Sequence, residues 1–203
     1  MKILHRNVGS IMTNCYLLID EDSRCAALID PGENADKLAE MLHEEGVTLT
    51  HMLLTHGHYD HTTAVPALHE MFPEAKIYIH EADAMGAGSK LFPLASQVEG
   101  LCYYADGDAV EVGGLRVEVI HTPGHSLGSV TLKVEDTLFT GDTLFAGSCG
   151  RYDLQGGSYE DIMASLRRLA ALEGEYTVLP GHMKPTILSR EREYNMDMRQ
   201  ATR

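Results

Sequence analysis

A chain of 203 residues, 44% hydrophobic and 23% charged, is long enough to bury a sizeable core without disulfide or metal staples, and it reads as one domain over 1–203. Its formal charge of −14, with no cluster of Lys and Arg, argues against a nucleic-acid partner. No apolar stretch approaches the roughly 20 residues of a membrane span, MKILHRNVGS is too short in apolar residues for a secretory leader, and Cys15, Cys25, Cys102 and Cys149 lack CxxC spacing, so the expectation is a cytoplasmic protein with free thiols and no membrane partner.

Two short apolar runs, NCYLLI (14–19) and CAALI (25–29), joined by the polar EDS, predict a hairpin that stops at the turn Asp30-Pro31-Gly32. Asn34 reads as the N-cap of a helix over ADKLAEMLHEE, with Leu38, Met41 and Leu42 at helical spacing and Gly46 ending it. LTHMLL (49–54) predicts a buried strand, TTAVPALHEMF a helix and AKIYIH a further strand, a parallel-type unit. Residues 84 to 106, including GAGSK, show no clean period and read as a surface excursion with some helix. The β patterns DAVEV, LRVEVIHT, SVTLKVE and TLFTG, with turns at Gly113-Gly114 and Glu135-Asp136, predict an antiparallel-rich second half. A helix from about Ser158 to Ala171, a strand TVLP (177–180) and a charged helix near 189–200 follow.

The stretch LLTHGHYDHTTAV puts His56, His58, Asp60 and His61 at the C-terminal end of a predicted strand, the edge where open α/β sheets bind ligands. Imidazole nitrogens and carboxylate oxygens are ligands for zinc, manganese and ferrous iron. In an extended loop His56 and His58 can share one side while Asp60 and His61 reach a second point, which implies two metal ions. Further ligand candidates, His125 in HTPGH, Asp142 in TGDTLF and His182 in PGHMKP, each follow a strand and then a Gly that permits a tight turn. Asp142 is the best bridging candidate, since a carboxylate has two oxygens to offer two cations. A non-catalytic metal-binding module is the alternative, but seven ligands exceed what a structural zinc requires.

THGHYDH, HTPGH, GDTLF and PGH resemble the signature motifs of the metallo-β-lactamase superfamily, from about Asn14 to Asn195. The resemblance implies an α/β fold, a four-layer αββα sandwich with the site at one edge of two sheets. It implies His56, His58 and His125 on one metal, Asp60, His61 and His182 on the other, Asp142 between them, and Asp30 of IDPG supporting the ligands without binding metal. GDTLFAGSCGRYDLQGGSYEDIMASL looks most like the small bacterial relatives of glyoxalase II, the hydroxyacylglutathione hydrolases. That likeness implies a dinuclear hydrolase that uses a hydroxide shared by two divalent ions, zinc first with iron or manganese also accommodated, to cleave a thioester such as S-lactoylglutathione. Asp60 would hold the nucleophile's proton, and Arg151 and Tyr152 would contact the thiol portion of the substrate, unless Arg151 instead caps a turn or pairs with Asp153. The classical enzyme continues into a helical region that grips glutathione, whereas only about twenty residues follow His182, so much of that surface is expected to be absent.

An iron-dependent persulfide dioxygenase of the same superfamily, using one iron on His56, His125 and Asp142, resembles the chain through SCGRYDLQ; a lactonase needs only a different acyl pocket. Of the other groups, His51 and His121 read as satisfied interior histidines, His80 as a helix cap, and His5, His43 and His69 as peripheral. Tyr59 either faces substrate or covers the metals, the ten methionines read as core filler, and Cys149 as a buried thiol.

Overall fold

The computed structural model describes residues 1–86 and 90–203. Strand β1 (Lys2–Val8) pairs antiparallel with β2 (Thr13–Ile19), and β2 with β3 (Cys25–Ile29). Helix α1 (Ala35–Glu45) leads to β4 (Thr48–Leu53), parallel to β3; α2 (Tyr59–Thr62) and α3 (Val65–Met71) lead to β5 (Lys76–Ile79), parallel to β4. After α4 (Glu81–Ala84) and a 3-10 turn at Leu94–Ser96, β6 (Cys102–Tyr103) completes a six-stranded sheet in sequence order. The second half supplies β7 (Ala109–Val112), β8 (Leu115–His121), β9 (Val130–Val134), β10 (Thr137–Gly141), the small hairpin β11 (Leu144–Phe145) and β12 (Ser148–Cys149), α5 (Tyr159–Ala170), β13 (Thr177–Pro180), β14 (Thr186–Ile187), α6 (Leu188–Tyr194) and α7 (Met196–Ala201). Its six-stranded sheet has the order β14-β13-β10-β9-β8-β7, antiparallel except where β10 meets β13.

Alternation along the strands sorts the side chains into layers. On β2, Cys15, Leu17 and Ile19 pack under α1 and α3, while Tyr16 and Leu18 point at the other sheet. On β10 and β13, Leu138 and Val178 face α5, α6 and α7, whereas Phe139 and Leu179 face the first sheet. Strands buried on both faces explain why the apolar runs are continuous. The result is a four-layer αββα sandwich, as the motif resemblance implied. Phe139 lies between the sheets, 1% exposed, its ring edge-on to Tyr16 at 5.3 Å. Phe139→Ala should therefore destabilise the fold by about 3–5 kcal/mol, measured as a lower urea midpoint at unchanged slope.

Several expectations need correction. β1 was not anticipated as a strand: His5, Arg6 and Asn7 are exposed on this edge strand and break any apolar period. Asn34 does not cap α1 with its side chain; it sits in the left-handed region at φ 62°, and its Oδ1 accepts the Gly9 N–H at 3.1 Å, tying the β1–β2 turn down. The helix over TTAVPALHEMF is shorter than expected, α3 alone, and a separate turn of helix, α2, precedes it on the ligand motif; the final charged helix breaks at Asn195, whose Oδ1 accepts from the Asp197 and Met198 amides and caps α7. Methionine is not uniformly interior: Met41, Met52, Met163 and Met198 are buried, but Met12, Met71, Met85, Met183 and Met196 are exposed. The 84–106 excursion holds the 3-10 turn and β6, while residues 87–89 of its GAGSK segment lie outside the described residues. The four cysteines are free thiols; Cys149, expected to be buried, is only partly so, and that burial, with Asp197 adding to it, pushes it up to about 12. Among the described residues no helix is long and apolar enough to cross a membrane.

Candidate metal centre

Loops following β4, β8, β10 and β13 converge at one end of the sandwich, stitched across the sheets by Val130 N–H to Thr55 O (2.8 Å) and Asn14 N–H to Gly181 O (2.7 Å). The β4 loop carries His56 and His58 and runs into α2 with Asp60 and His61; the second sheet delivers His125, Asp142 and His182. Gly141 takes φ +48°, which turns the chain sharply at the end of β10 and aims Asp142 inward. At Gly181 the reason for glycine is different from the one expected: its φ is not positive, but an added Cβ would lie 2.4 Å from Asp142 Oδ1 and 2.7 Å from His61 Cε1.

The seven candidate ligands lie together as two adjoining groups of three with Asp142 between them. His56, His58 and His125 form one, with ligand atoms within 4.8 Å of one another and His58 Nδ1 2.8 Å from His125 Nε2. Asp60, His61 and His182 form the other, with Asp60 Oδ2 3.2 Å from His61 Nε2 and 3.1 Å from His182 Nε2. Asp142 stands between: its Oδ2 is 3.4 Å from His125 Nε2 and 3.6 Å from His182 Nε2, and its Oδ1 is 3.5 Å from His61 Nε2. Among the described residues His56 Nε2 and Asp142 Oδ1 are buried without a hydrogen-bond partner. Orphaned buried polar atoms cost about 1–3 kcal/mol each, and cations held by the two groups would satisfy them, so the donor set fits divalent metal.

Outer contacts fix which nitrogen of each ring faces inward. His125 Nδ1 bonds the Arg151 carbonyl at 2.7 Å, His56 Nδ1 lies 3.1 Å from Thr55 Oγ1, and His61 Nδ1 lies 2.9 Å from Asp30 Oδ2. Asp30 could itself be grouped with His56 and His61, but its oxygens are engaged by Thr55 N–H and Thr55 Oγ1, both at 2.7 Å, and by the His61 ring; it supports ligands.

The two groups differ in charge. Burial, then the neighbouring histidines, holds the His56 imidazole well below its ordinary value; burial and His125 push His58 down to about 4. Both are neutral at pH 7, as ligation requires. For His61 and His182 burial works downward but is outweighed, by Asp142 and Asp30 for His61 and by the Asp60 hydrogen bond and Asp142 for His182, so both are raised. Burial works upward on Asp60, yet hydrogen bonds from His182 and His61 keep it well below the carboxylate range. Protons held on His61 and His182 compete with metal, and raised pKa values extend that competition toward neutral pH. Metal affinity should thus rise with pH, by up to about tenfold per unit for each displaced proton. Zinc competition against a chromophoric chelator at pH 6, 7 and 8 measures it, after correction for the chelator's own protonation.

The metallo-beta-lactamase superfamily model matches residues 8–182. The chain belongs to the metallo-β-lactamase superfamily. This superfamily member is 32% identical over 201 residues to hydroxyacylglutathione hydrolase GloC of Haemophilus influenzae, covering 93% of both chains. ETHE1 from Myxococcus xanthus superposes with TM-score 0.85 at 32% identity, over 100% of this chain and 88% of that one. TTHA1623, solved in a di-iron-bound form, superposes with TM-score 0.83 at 33% identity, over 95% and 98%. The fold, the His/Asp cluster and hydrolase relatives together make this metallo-β-lactamase superfamily chain a metal-dependent enzyme of hydrolase type.

Beside the ligands this superfamily fold opens a cavity of about 750 Å³, walled by Ile11, Tyr59, Lys90, Phe145, Arg151 and Leu154. Tyr59 lines it with its ring edge-on to Phe92. The Arg151 guanidinium pairs with both Asp153 oxygens at 2.8 Å, an exposed pair of the kind that is worth little, so Arg151 sits in the wall yet is engaged sideways. Tyr152 is not part of the wall and leans on Tyr159. His80 caps α4, its Nδ1 accepting the Ala82 N–H.

Two supporting residues escaped the sequence reading. Thr13 Oγ1 donates to Asp60 Oδ2 at 2.8 Å; Asn14 Nδ2 donates to the Pro180 and Met183 carbonyls at 2.8 and 2.9 Å and so grips the His182 loop. The available signal was two polar residues at the head of a wholly apolar strand, which must find partners when buried.

Proposed function

We propose that this protein is a dinuclear thioester hydrolase acting on S-acyl thiols of the S-lactoylglutathione type, with zinc as its working metal. The observation that carries this reading is Asp142, within 3.6 Å of ligand nitrogens belonging to both groups. A lone three-histidine site would not need a carboxylate shared with a second set of ligands. Two divalent ions supply Lewis acidity, polarising a carbonyl and lowering the pKa of water from about 16 toward 7. Asp60, ionised and held by Thr13, His61 and His182, would hold the nucleophile's proton by a hydrogen bond and so orient it. The cavity receives the acyl and thiol portions, and Arg151, on release from Asp153, offers its guanidinium to an anionic thiol carrier. The local sum of two dications against Asp60 and Asp142 is positive, so the overall −14 does not repel such a substrate at contact distance. The likeness to GloC supports the thioester, and the likeness to a di-iron-bound structure supports two metals.

The likeness to ETHE1 fits a second reading, a persulfide dioxygenase with one iron on His56, His125 and Asp142. Elemental analysis of freshly purified protein, followed by thioester, lactone and glutathione persulfide substrates, separates the two. Two metals per chain with thioester turnover is the expected result. One iron per chain with oxygen consumption on the persulfide would overturn it, and turnover of lactones alone would move the substrate class.

A further inference from the structure

The β4 loop and the β8–β9 loop come from different sheets, yet the three histidines they carry must converge on one point. We propose that Asp83 is the positioning residue that clamps these loops together, setting the geometry and affinity of the His56–His58–His125 group while leaving the Asp60–His61–His182 group nearly untouched. Asp83 lies on α4, wholly buried. Its Oδ2 accepts the Gly57 N–H at 2.9 Å and the Ser126 hydroxyl at 2.6 Å, and its Oδ1 accepts the Gly128 N–H at 2.8 Å. Gly57 lies between His56 and His58, and Ser126 follows His125. All three donors to the carboxylate therefore belong to the loops that carry the three-histidine group, and none to α2 or the His182 loop.

The packing leaves this carboxylate a single seat. A Cβ on Gly57 would fall 2.8 Å from the Asp83 carbonyl oxygen and 2.9 Å from its Cβ, and a Cβ on Gly128 would fall 2.7 Å from its Cγ. Both glycines are thus where the loop backbones press onto Asp83. Ser126 is itself fixed, with Oγ 2.6 Å from Ser129 Oγ and its N–H donating to the same Ser129 oxygen at 3.1 Å. Asp30 is the counterpart on the other side of the centre: it touches a ligand ring directly, through His61. Asp83 touches no ligand ring in its hydrogen bonds and acts through two loop amides and the Ser126 hydroxyl, so its effect is chiefly on where the ligands stand. Groups that orient ligands in this way are worth about 10–100-fold in metal affinity.

The inference rests on the two-group reading of the centre. Asp83→Asn preserves volume but turns an N–H toward one of the loop donors; Ser126→Ala removes one arm of the clamp alone. The measurement is stepwise zinc affinity of stripped protein against a competing chelator, with the cobalt(II) absorption spectrum and the thermal midpoint of the metal-free protein. Asp83→Asn should weaken one of two zinc ions by at least about tenfold and alter the cobalt spectrum, with Ser126→Ala shifting the same ion less. In a His182→Ala background, where the three-histidine group is left intact, Asp83→Asn should still weaken zinc; in a His58→Ala background it should not. Equal weakening in both backgrounds, or none in either, overturns the clamp. If Asp83→Asn fails to fold, Ser126→Ala decides: unchanged affinity for both ions overturns the proposal. Wild-type protein that binds one ion counts against the dinuclear function, whereas the clamp is still judged by the His182→Ala background.

Discussion

Asp142→Ala should lower thioester turnover by about 10³-fold or more and cut bound metal below two per chain, while the protein stays folded. The loss follows from position, since the Asp142 oxygens lie within 3.6 Å of nitrogens from both ligand groups. The fold should survive because, among the described residues, Asp142 Oδ1 has no hydrogen-bond partner, and the midpoint should fall only modestly, since the buried His61 and His182 lose a counter-charge. Turnover, elemental content and thermal midpoint measured together check the claim. Wild-type turnover by the variant would sink the dinuclear reading, and a collapsed midpoint would mean that Asp142 serves the fold instead. His58→Ala should likewise abolish turnover in a folded protein, because it removes one of the three nitrogens that meet at the first group.

Gly181→Ala should reduce turnover by about 10²-fold, the cost of misplacing reacting groups by about 1 Å. The new methyl would start 2.4 Å from Asp142 Oδ1 and 2.7 Å from His61 Cε1, contacts that no Cβ tolerates, so the carboxylate or the ring must move. The backbone around it has a reason to stay, since Gly181 N–H donates to Gly141 O at 2.8 Å and Asn14 holds the neighbouring carbonyls. Gly114→Ala is the control: its Cβ would meet only Asp20 Oδ2, at 3.6 Å, and turnover should not change. Equal activity in both variants would show that the centre yields more easily than these contacts imply.

What could be read from residues alone was whatever has a local cause. The β4 and β10 strands announce themselves as apolar runs, and each ligand loop follows its strand through polar residues that no core would keep. Gly46 ends α1 in the left-handed region, as its place after a helical period suggests. What could not be read depends on distant partners. Asn34 has every local mark of a helix cap, but the β1–β2 turn competes for its side chain and wins. Asp83 reads as an ordinary acidic residue in the first turn of a helix, and its value is set by Gly57, Ser126 and Gly128, which are 26 to 45 positions away. Thr13 and Asn14 lie at the start of a strand; the neighbouring order of β2, β3 and β4 brings Thr13 to Asp60, and the packing of one sheet on the other brings Asn14 to the His182 loop. The edge strand β1 and the two-residue strands β6, β11, β12 and β14 are too exposed or too short to carry a period.

The tight turn at Glu135-Asp136, between β9 and β10, lies at the start of the strand whose far end carries Asp142. A tether, a fluorophore or a short peptide insert grafted there would leave the reacting end of the molecule facing outward. Immobilised on a support through that point, the protein would present its cavity to the bulk liquid.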